Sequence, residues 1–246
     1  LPICYLFVSS MGSAAVQMLR LSADGSMLLT DSWLLTGHSV TGRQQSARTH
    51  SVRLSPDGRL LSAANFGADE VELFQVDYEK ESLRLIRSVA VDFGRQPRHM
   101  AFSPDGSNLY VLTEEGNRLY VYRLQGDRLF ELAAYNTLSP DGAQGGMAAD
   151  LAVSPDGRFV YSSNREQHNI AVWRKLPGGL LDLVGHCPSG GESPRGLWIS
   201  LSGDSLFCAN NDSGSVTVLA VNPATGAPEK VTQTLNVPAA ACVRSI

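Results

Sequence analysis

The chain has 246 residues, 43% of them hydrophobic and 18% charged, the ordinary balance of a globular protein able to bury a sizeable core. Its 20 Lys and Arg against 24 Asp and Glu leave a net charge of −4, without the basic stripe of a nucleic-acid binder. No run approaches the ~20 apolar residues of a membrane span, so neither nucleic acid nor membrane is expected as a partner. Cys4, Cys187, Cys208 and Cys242 stand apart without a CxxC pair. Free thiols in a reduced, cytoplasmic setting are therefore expected, with Cys208 and Cys242 buried in strands.

In chain order, residues 3–8, 14–21 and 27–35 read as three strands with no partner strand before them. The apolar opening lacks the basic flank of a secretory signal. From residue 48 onward the pattern repeats. An apolar strand (50–54) runs into Ser55-Pro56-Asp57-Gly58, a second strand follows, then a third (71–76) and a looser fourth (83–91). The next unit carries strands at 100–102, 108–112, 118–124 and 129–135 around Ser103-Pro104-Asp105-Gly106. The third has 151–153, 159–163 and 170–174 around Ser154-Pro155-Asp156-Gly157. The fourth has 197–199 and 216–221 around the degraded turn Ser200-Leu201-Ser202-Gly203.

The turn glycines are 48, 51 and 46 residues apart. Pro, Asp and Gly each suit their place in a type I turn, so the chain reverses at the same point in every unit. Seven residues past each glycine stands Asn65, Thr113, Asn164 or Asn210, and a structural role is expected for the asparagines. Ser139-Pro140-Asp141-Gly142 is out of register and reads as a loop. Four antiparallel strands per unit of roughly 40–50 residues predict an all-β propeller rather than a helical solenoid. The reading is one domain, 1–246, that begins within a blade, with complete units at about 48–92, 97–138, 147–186 and 194–236. Residues 241–245 look like a lone first strand, able to complete a composite fifth blade with the N-terminal strands.

Several segments point further. They are Gly42-Arg43-Gln44-Gln45 leading to His50, Gln96-Pro97-Arg98-His99, Ala148-Ala149-Asp150 with Ser163-Asn164-Arg165, Gly190-Gly191-Glu192-Ser193-Pro194-Arg195-Gly196, and the closing Val237-Pro238 to Arg244. Together they resemble the seven-bladed propeller lactonase family, known for bacterial 6-phosphogluconolactonase and fungal carboxy-muconate cyclases. The resemblance implies seven blades, about 315 residues at roughly 45 per blade. It thus implies a chain that starts in the middle of the second blade, holds about five blades' worth of strands, and leaves the ring open. The five-blade closure is the alternative.

Lactone hydrolysis needs an activated water, donors for the oxyanion and a site for the substrate's anionic group. By position the innermost strands offer His50, Arg98, His99 and Arg195, and the ends of second strands offer Glu114 and Arg165. The resemblance implies catalytic roles for His50, Glu114, Arg98 and Arg165, with Glu114 or His50 as base and the arginines on substrate anion and oxyanion. Arg195, His99 and Arg48 are expected to bind substrate. Each also has a plainer reading: Glu114 beside Glu115 as a solvated turn, Arg165 beside Glu166 as a local ion pair. The chain departs from the family at Ala47-Arg48-Thr49-His50, which keeps one of two usual histidines, and at Ala152, where a His is often found.

The expected activity is opening of 6-phosphoglucono-1,5-lactone to 6-phosphogluconate in the pentose phosphate route, without metal or cofactor. The alternatives are a muconate-type cycloisomerase and a non-catalytic binding propeller. The sequence is silent on oligomeric state.

Overall fold

Nineteen strands and one short 3-10 turn (Pro177–Gly179) make up the described part of the chain, residues 4–142 and 146–244 of a computed structural model. The first sheet has three strands, β1 (Cys4–Ser10), β2 (Ala15–Leu21) and β3 (Met27–Leu34). Four four-stranded sheets follow: β4 (Thr49–Leu54), β5 (Leu60–Asn65), β6 (Glu70–Asp77) and β7 (Ser82–Ala90); β8 (Pro97–Phe102), β9 (Asn108–Thr113), β10 (Arg118–Gln125) and β11 (Arg128–Asn136); β12 (Ala148–Val153), β13 (Phe159–Asn164), β14 (Asn169–Lys175) and β15 (Leu181–Pro188); β16 (Pro194–Ile199), β17 (Ser205–Asn210), β18 (Ser215–Val221) and β19 (Pro228–Asn236). Every pairing is antiparallel between chain neighbours. Each sheet is a blade, and the innermost strands meet in the sequence β1, β4, β8, β12, β16. The fold is an all-β propeller.

The apolar runs are continuous because middle strands are buried on both faces, and their period of two sorts residues between neighbouring blades. Along β9, Leu109 and Val111 join the core shared with the β4–β7 blade, while Tyr110 and Leu112 join the core shared with the β12–β15 blade. Along β13, Phe159 and Tyr161 face the last blade and Val160 the one before.

The repeated turn works as its chemistry predicts. In the second sheet Ser55 Oγ donates to Asp57 (2.6 Å) and accepts from the Leu60 amide (3.0 Å), and the Gly58 amide donates to the Ser55 carbonyl (2.9 Å). Gly58 sits at φ +73°, open to glycine without strain. In the degraded copy Asp204, one residue past the glycine, accepts from both Ser200 and Ser202 in place of the missing turn aspartate. The asparagines are ties between blades. Asn65 and Asn164 donate to the carbonyls of Thr36 (3.0 Å) and Thr137 (2.8 Å) on the incoming connection, and Asn210 does so through Thr217, which bonds the Ser189 carbonyl.

Two expectations fail at the chain ends. Residues 241–244 are not a strand: they lie along β16, with Ala241 and Cys242 backbone against Gly196 and Arg244 donating to the Leu197 carbonyl. Among the described residues they are not laddered to β1, and the first sheet has three strands rather than a composite four. Cys242 is accordingly exposed, while Cys208 is buried. Ile3 and Ser245, part of the predicted end strands, lie outside the described residues.

Candidate active site

Every innermost strand from β4 onward begins with a β-bulge, and the bulge sets the site. Register jumps from Thr49 to Ser51, Pro97 to His99, Ala148 to Leu151 and Pro194 to Gly196. The residues left outside the ladder are His50, Arg98, Ala149 with Asp150, and Arg195. A bulge unpairs one residue and re-aims its side chain, which is how four blades direct polar groups to one end of the ring. The second strands add one residue each. The amides of Glu114 and Arg165 donate to the carbonyls of Gln96 (2.9 Å) and Met147 (3.1 Å), fixing both residues in equivalent places.

Glu114 is the hub. Its Oε2 takes Arg98 Nε at 2.8 Å and Arg165 Nη2 at 3.0 Å, and its Oε1 takes Arg43 Nη2 at 2.7 Å. Burial alone would raise its pKa; Arg165, Arg43 and Arg98 outweigh that and hold the carboxyl below its usual range. It is therefore an ionised anchor with both oxygens occupied, not the solvated turn of the plainer reading. Arg165 pairs with Glu114 and not with its neighbour Glu166, and its Nε donates to the Met147 carbonyl. Arg98 is buried and closes its fork on the Ala149 carbonyl; desolvation lowers its pKa to about 10, still charged at neutral pH. Arg195 has no ion pair or hydrogen bond among the described residues, yet its charge acts on His50, Arg98 and Arg165.

The two histidines meet edge to face with ring centroids 5.2 Å apart. Burial, then the charges of Arg98, His99 and Arg195, pushes the His50 pKa down to about 2, and its buried Nδ1 has no hydrogen-bond partner. His99 Nδ1 lies 2.5 Å from Asp150 Oδ1. Burial lowers its pKa while Asp150 pulls it upward. Both imidazoles are neutral. Of the residues expected to bind substrate, Arg48 is not drawn in: among the described residues its side chain makes no ion pair or hydrogen bond, and only its amide is tied, to Asn65.

Two members escaped the sequence reading. Arg43, on the connection between β3 and β4, reaches Glu114 and lies over the Phe66 ring at 5.1 Å. Asp150 stands seven residues before Gly157, the same phase as His99 before Gly106, which is the signal that marks it.

The cleft so built holds guanidiniums from Arg43, Arg98, Arg165 and Arg195 around two carboxylates, Glu114 and Glu115, with neutral imidazoles beside them. Guanidiniums in such an arrangement have the chemistry to bind an anion and to polarise a carbonyl. Comparison with known proteins places the chain among lactonases. A 6-phosphogluconolactonase of Formosa agariphila is 29% identical over 239 residues, covering 94% of this chain and 67% of that protein. The solved periplasmic gluconolactonase of Pseudomonas aeruginosa superposes with a TM-score of 0.86 at 31% identity, over 96% of this chain and 68% of that one. A Lactobacillus plantarum protein of known structure gives a TM-score of 0.91 at 25% identity, over 97% and 70%. The chain thus spans about two thirds of the length of these relatives. Residues 4–245 match the family described as Lactonase, 7-bladed beta-propeller, and with that match the chain belongs to the seven-bladed β-propeller lactonase family.

Proposed function

We propose that this chain hydrolyses 6-phosphoglucono-1,5-lactone to 6-phosphogluconate, acting as a carboxylic-ester hydrolase without metal or cofactor. The observation that carries the reading is the convergence of Arg43, Arg98 and Arg165 on one buried carboxylate while Arg195 stays unpaired. Glu114 fixes the forks of its three arginines in place before substrate arrives, so they need no reorganisation when charge develops on the carbonyl oxygen. Arg195 is the free cation for the phosphate, whose oxygens a planar guanidinium can hold two at a time. The cleft also brings two imidazoles, His50 and His99, beside the arginines as candidates to handle the water. A phosphorylated substrate and four free cysteines fit the cytoplasm as the compartment.

The second reading is unphosphorylated glucono-1,5-lactone, favoured by the resemblance to the Pseudomonas gluconolactonase. Both lactones, freshly generated and corrected for spontaneous opening, decide the matter. Faster turnover of the phosphorylated lactone, with Arg195→Ala raising its KM at least ~10-fold and barely touching the other, is the expected result. Equal use of both, with no effect of Arg195→Ala, moves the assignment to the unphosphorylated sugar. Buffer-rate opening of both sinks the lactonase reading.

A further inference from the structure

The geometry points to His99, oriented by Asp150, as the general base of the cleft, a pair formed across two blades. The assignment rests on the hydrolytic reading above and names the group that performs its proton transfer. Asp150 is fully buried and its carboxylate is saturated: Oδ1 accepts from His99 Nδ1 and from the Leu151 amide (2.8 Å), Oδ2 from the Leu197 amide (2.9 Å). Those donors and the nearby Arg244 guanidinium keep it ionised, with its pKa well below the usual carboxylate range despite burial. An ionised carboxylate only accepts, so the proton shared with His99 sits on Nδ1, and Nε2 carries the lone pair. Among the described residues the side-chain hydrogen bond of His99 is the one from Nδ1 to Asp150, and the side chain keeps 19% of its surface open.

His50 lacks every part of this arrangement. Among the described residues no carboxylate faces it and its buried Nδ1 has no hydrogen-bond partner, and its neighbours Arg98 and Arg195 are both cations. Burial and the charges of Arg98 and Arg195 together outweigh what favours a proton there. Glu114 is held by three guanidiniums that keep its carboxyl below the usual range, which makes it a weak base. The groups facing His99 are Asp150 from β12, His50 and Arg53 from β4, and Arg98 on its own strand. Only Asp150 among them stabilises an imidazolium.

The step balances as follows. Water oxygen bonds to the lactone carbonyl carbon while one of its protons passes to His99 Nε2, and the carbonyl electron pair moves onto oxygen beside the arginines. Asp150 neutralises the imidazolium through Nδ1–H. Collapse re-forms the C=O, breaks the bond from the acyl carbon to the ring oxygen, and returns the proton from Nε2 to that oxygen. The product is the open hydroxy acid, which ionises. His99 is the catalytic group and Asp150 a positioning residue; His50 is left to bind the substrate or water.

The test uses His99→Gln, Asp150→Asn, Asp150→Glu and His50→Gln, with imidazole 15N NMR of the unaltered protein. Expected for His99→Gln is a kcat loss of ~10²–10⁴-fold at little change in KM, while His50→Gln acts mainly on KM. Asp150→Asn is expected to move the acid limb of the pH–rate profile downward, and Asp150→Glu to restore part of the rate, neither of which a purely structural staple would produce. The NMR is expected to show His99 as the neutral Nδ1–H tautomer. Retained kcat in His99→Gln with collapse in His50→Gln overturns the assignment. If the unaltered protein opens no lactone faster than buffer, the hydrolytic reading fails. The pair is then judged by NMR alone: an Nε2–H tautomer at His99 overturns it, and an Nδ1–H tautomer upholds it.

Discussion

Three guanidiniums on one buried carboxylate make Glu114 the residue on which the cleft's organisation depends. Arg98 and Arg165 are themselves largely desolvated, so each would be left as an uncompensated buried cation if the carboxylate were removed. Breaking a buried pair from one side costs far more than the intact pair contributes. Glu114→Gln is therefore expected to lower stability by about 3 kcal/mol, read from the urea midpoint at unchanged slope, as well as to disorder the arginines. Arg43, half exposed and stacked on Phe66, contributes less; its pair with Glu114 is open to solvent on one side. An Arg43→Ala protein that lost as much stability as Glu114→Gln would refute this division of roles.

At the scale of the element, the hairpins are held by close approach as much as by ladders. Gly67, in the β5–β6 turn, lies under the connection that carries Arg43 to β4. A Cβ there would stand 1.9 Å from the Ser46 carbonyl oxygen and 2.8 Å from the Arg48 amide, a collision with backbone that no rotamer relieves. Gly67→Ala is expected to cost about 3 kcal/mol and to loosen that connection, measurable as a lower unfolding midpoint together with a raised KM. The strands and turns around this point were legible in sequence because both faces of each middle strand are buried, and Ser-Pro-Asp-Gly or its degraded copy marks the turn after each innermost strand from β4 onward. His50, Arg98, Glu114 and Arg165 were legible by their phase against the turn glycines. Asp150 shares the phase of His99 against its own turn glycine, but that phase alone does not show that the two side chains, 51 residues apart, meet across two blades. Arg43 was hidden for a related reason: it lies on an aperiodic connection, 71 residues from Glu114. The bulges themselves leave no mark in composition. Residues 241–244 misled in the opposite sense, having strand composition and no ladder.

For the whole molecule, the buried imidazoles set the response to acid. His50 and His99 both have pKa values depressed by burial, so below about pH 6.5 the unfolded chain binds protons that the folded one refuses. Stability is thus full above that value and is expected to fall as pH drops through it, by about 1 kcal/mol per pH unit for His50, with His99 adding in the same direction. Below about pH 4 the depressed carboxyls of Glu114, Asp105 and Asp150 add to the loss, since they must be protonated in the unfolded state first. Denaturant titrations between pH 5 and 8 check the sign. His50→Gln, which cannot take a proton, is expected to flatten the slope between pH 5 and 6.5; an unchanged slope would place the acid sensitivity elsewhere.

The supernumerary residue at the head of each innermost strand separates chemistry from architecture. Because it lies outside the ladder, the same backbone place accepts an imidazole at His50, a guanidinium at Arg98 and Arg195, and a bare methyl at Ala149. A gene that grows by copying blades therefore inherits a row of interchangeable sockets opening on one cavity. New substrate preference can arise by exchanging a socket's occupant while the ring, its turns and its cores go untouched.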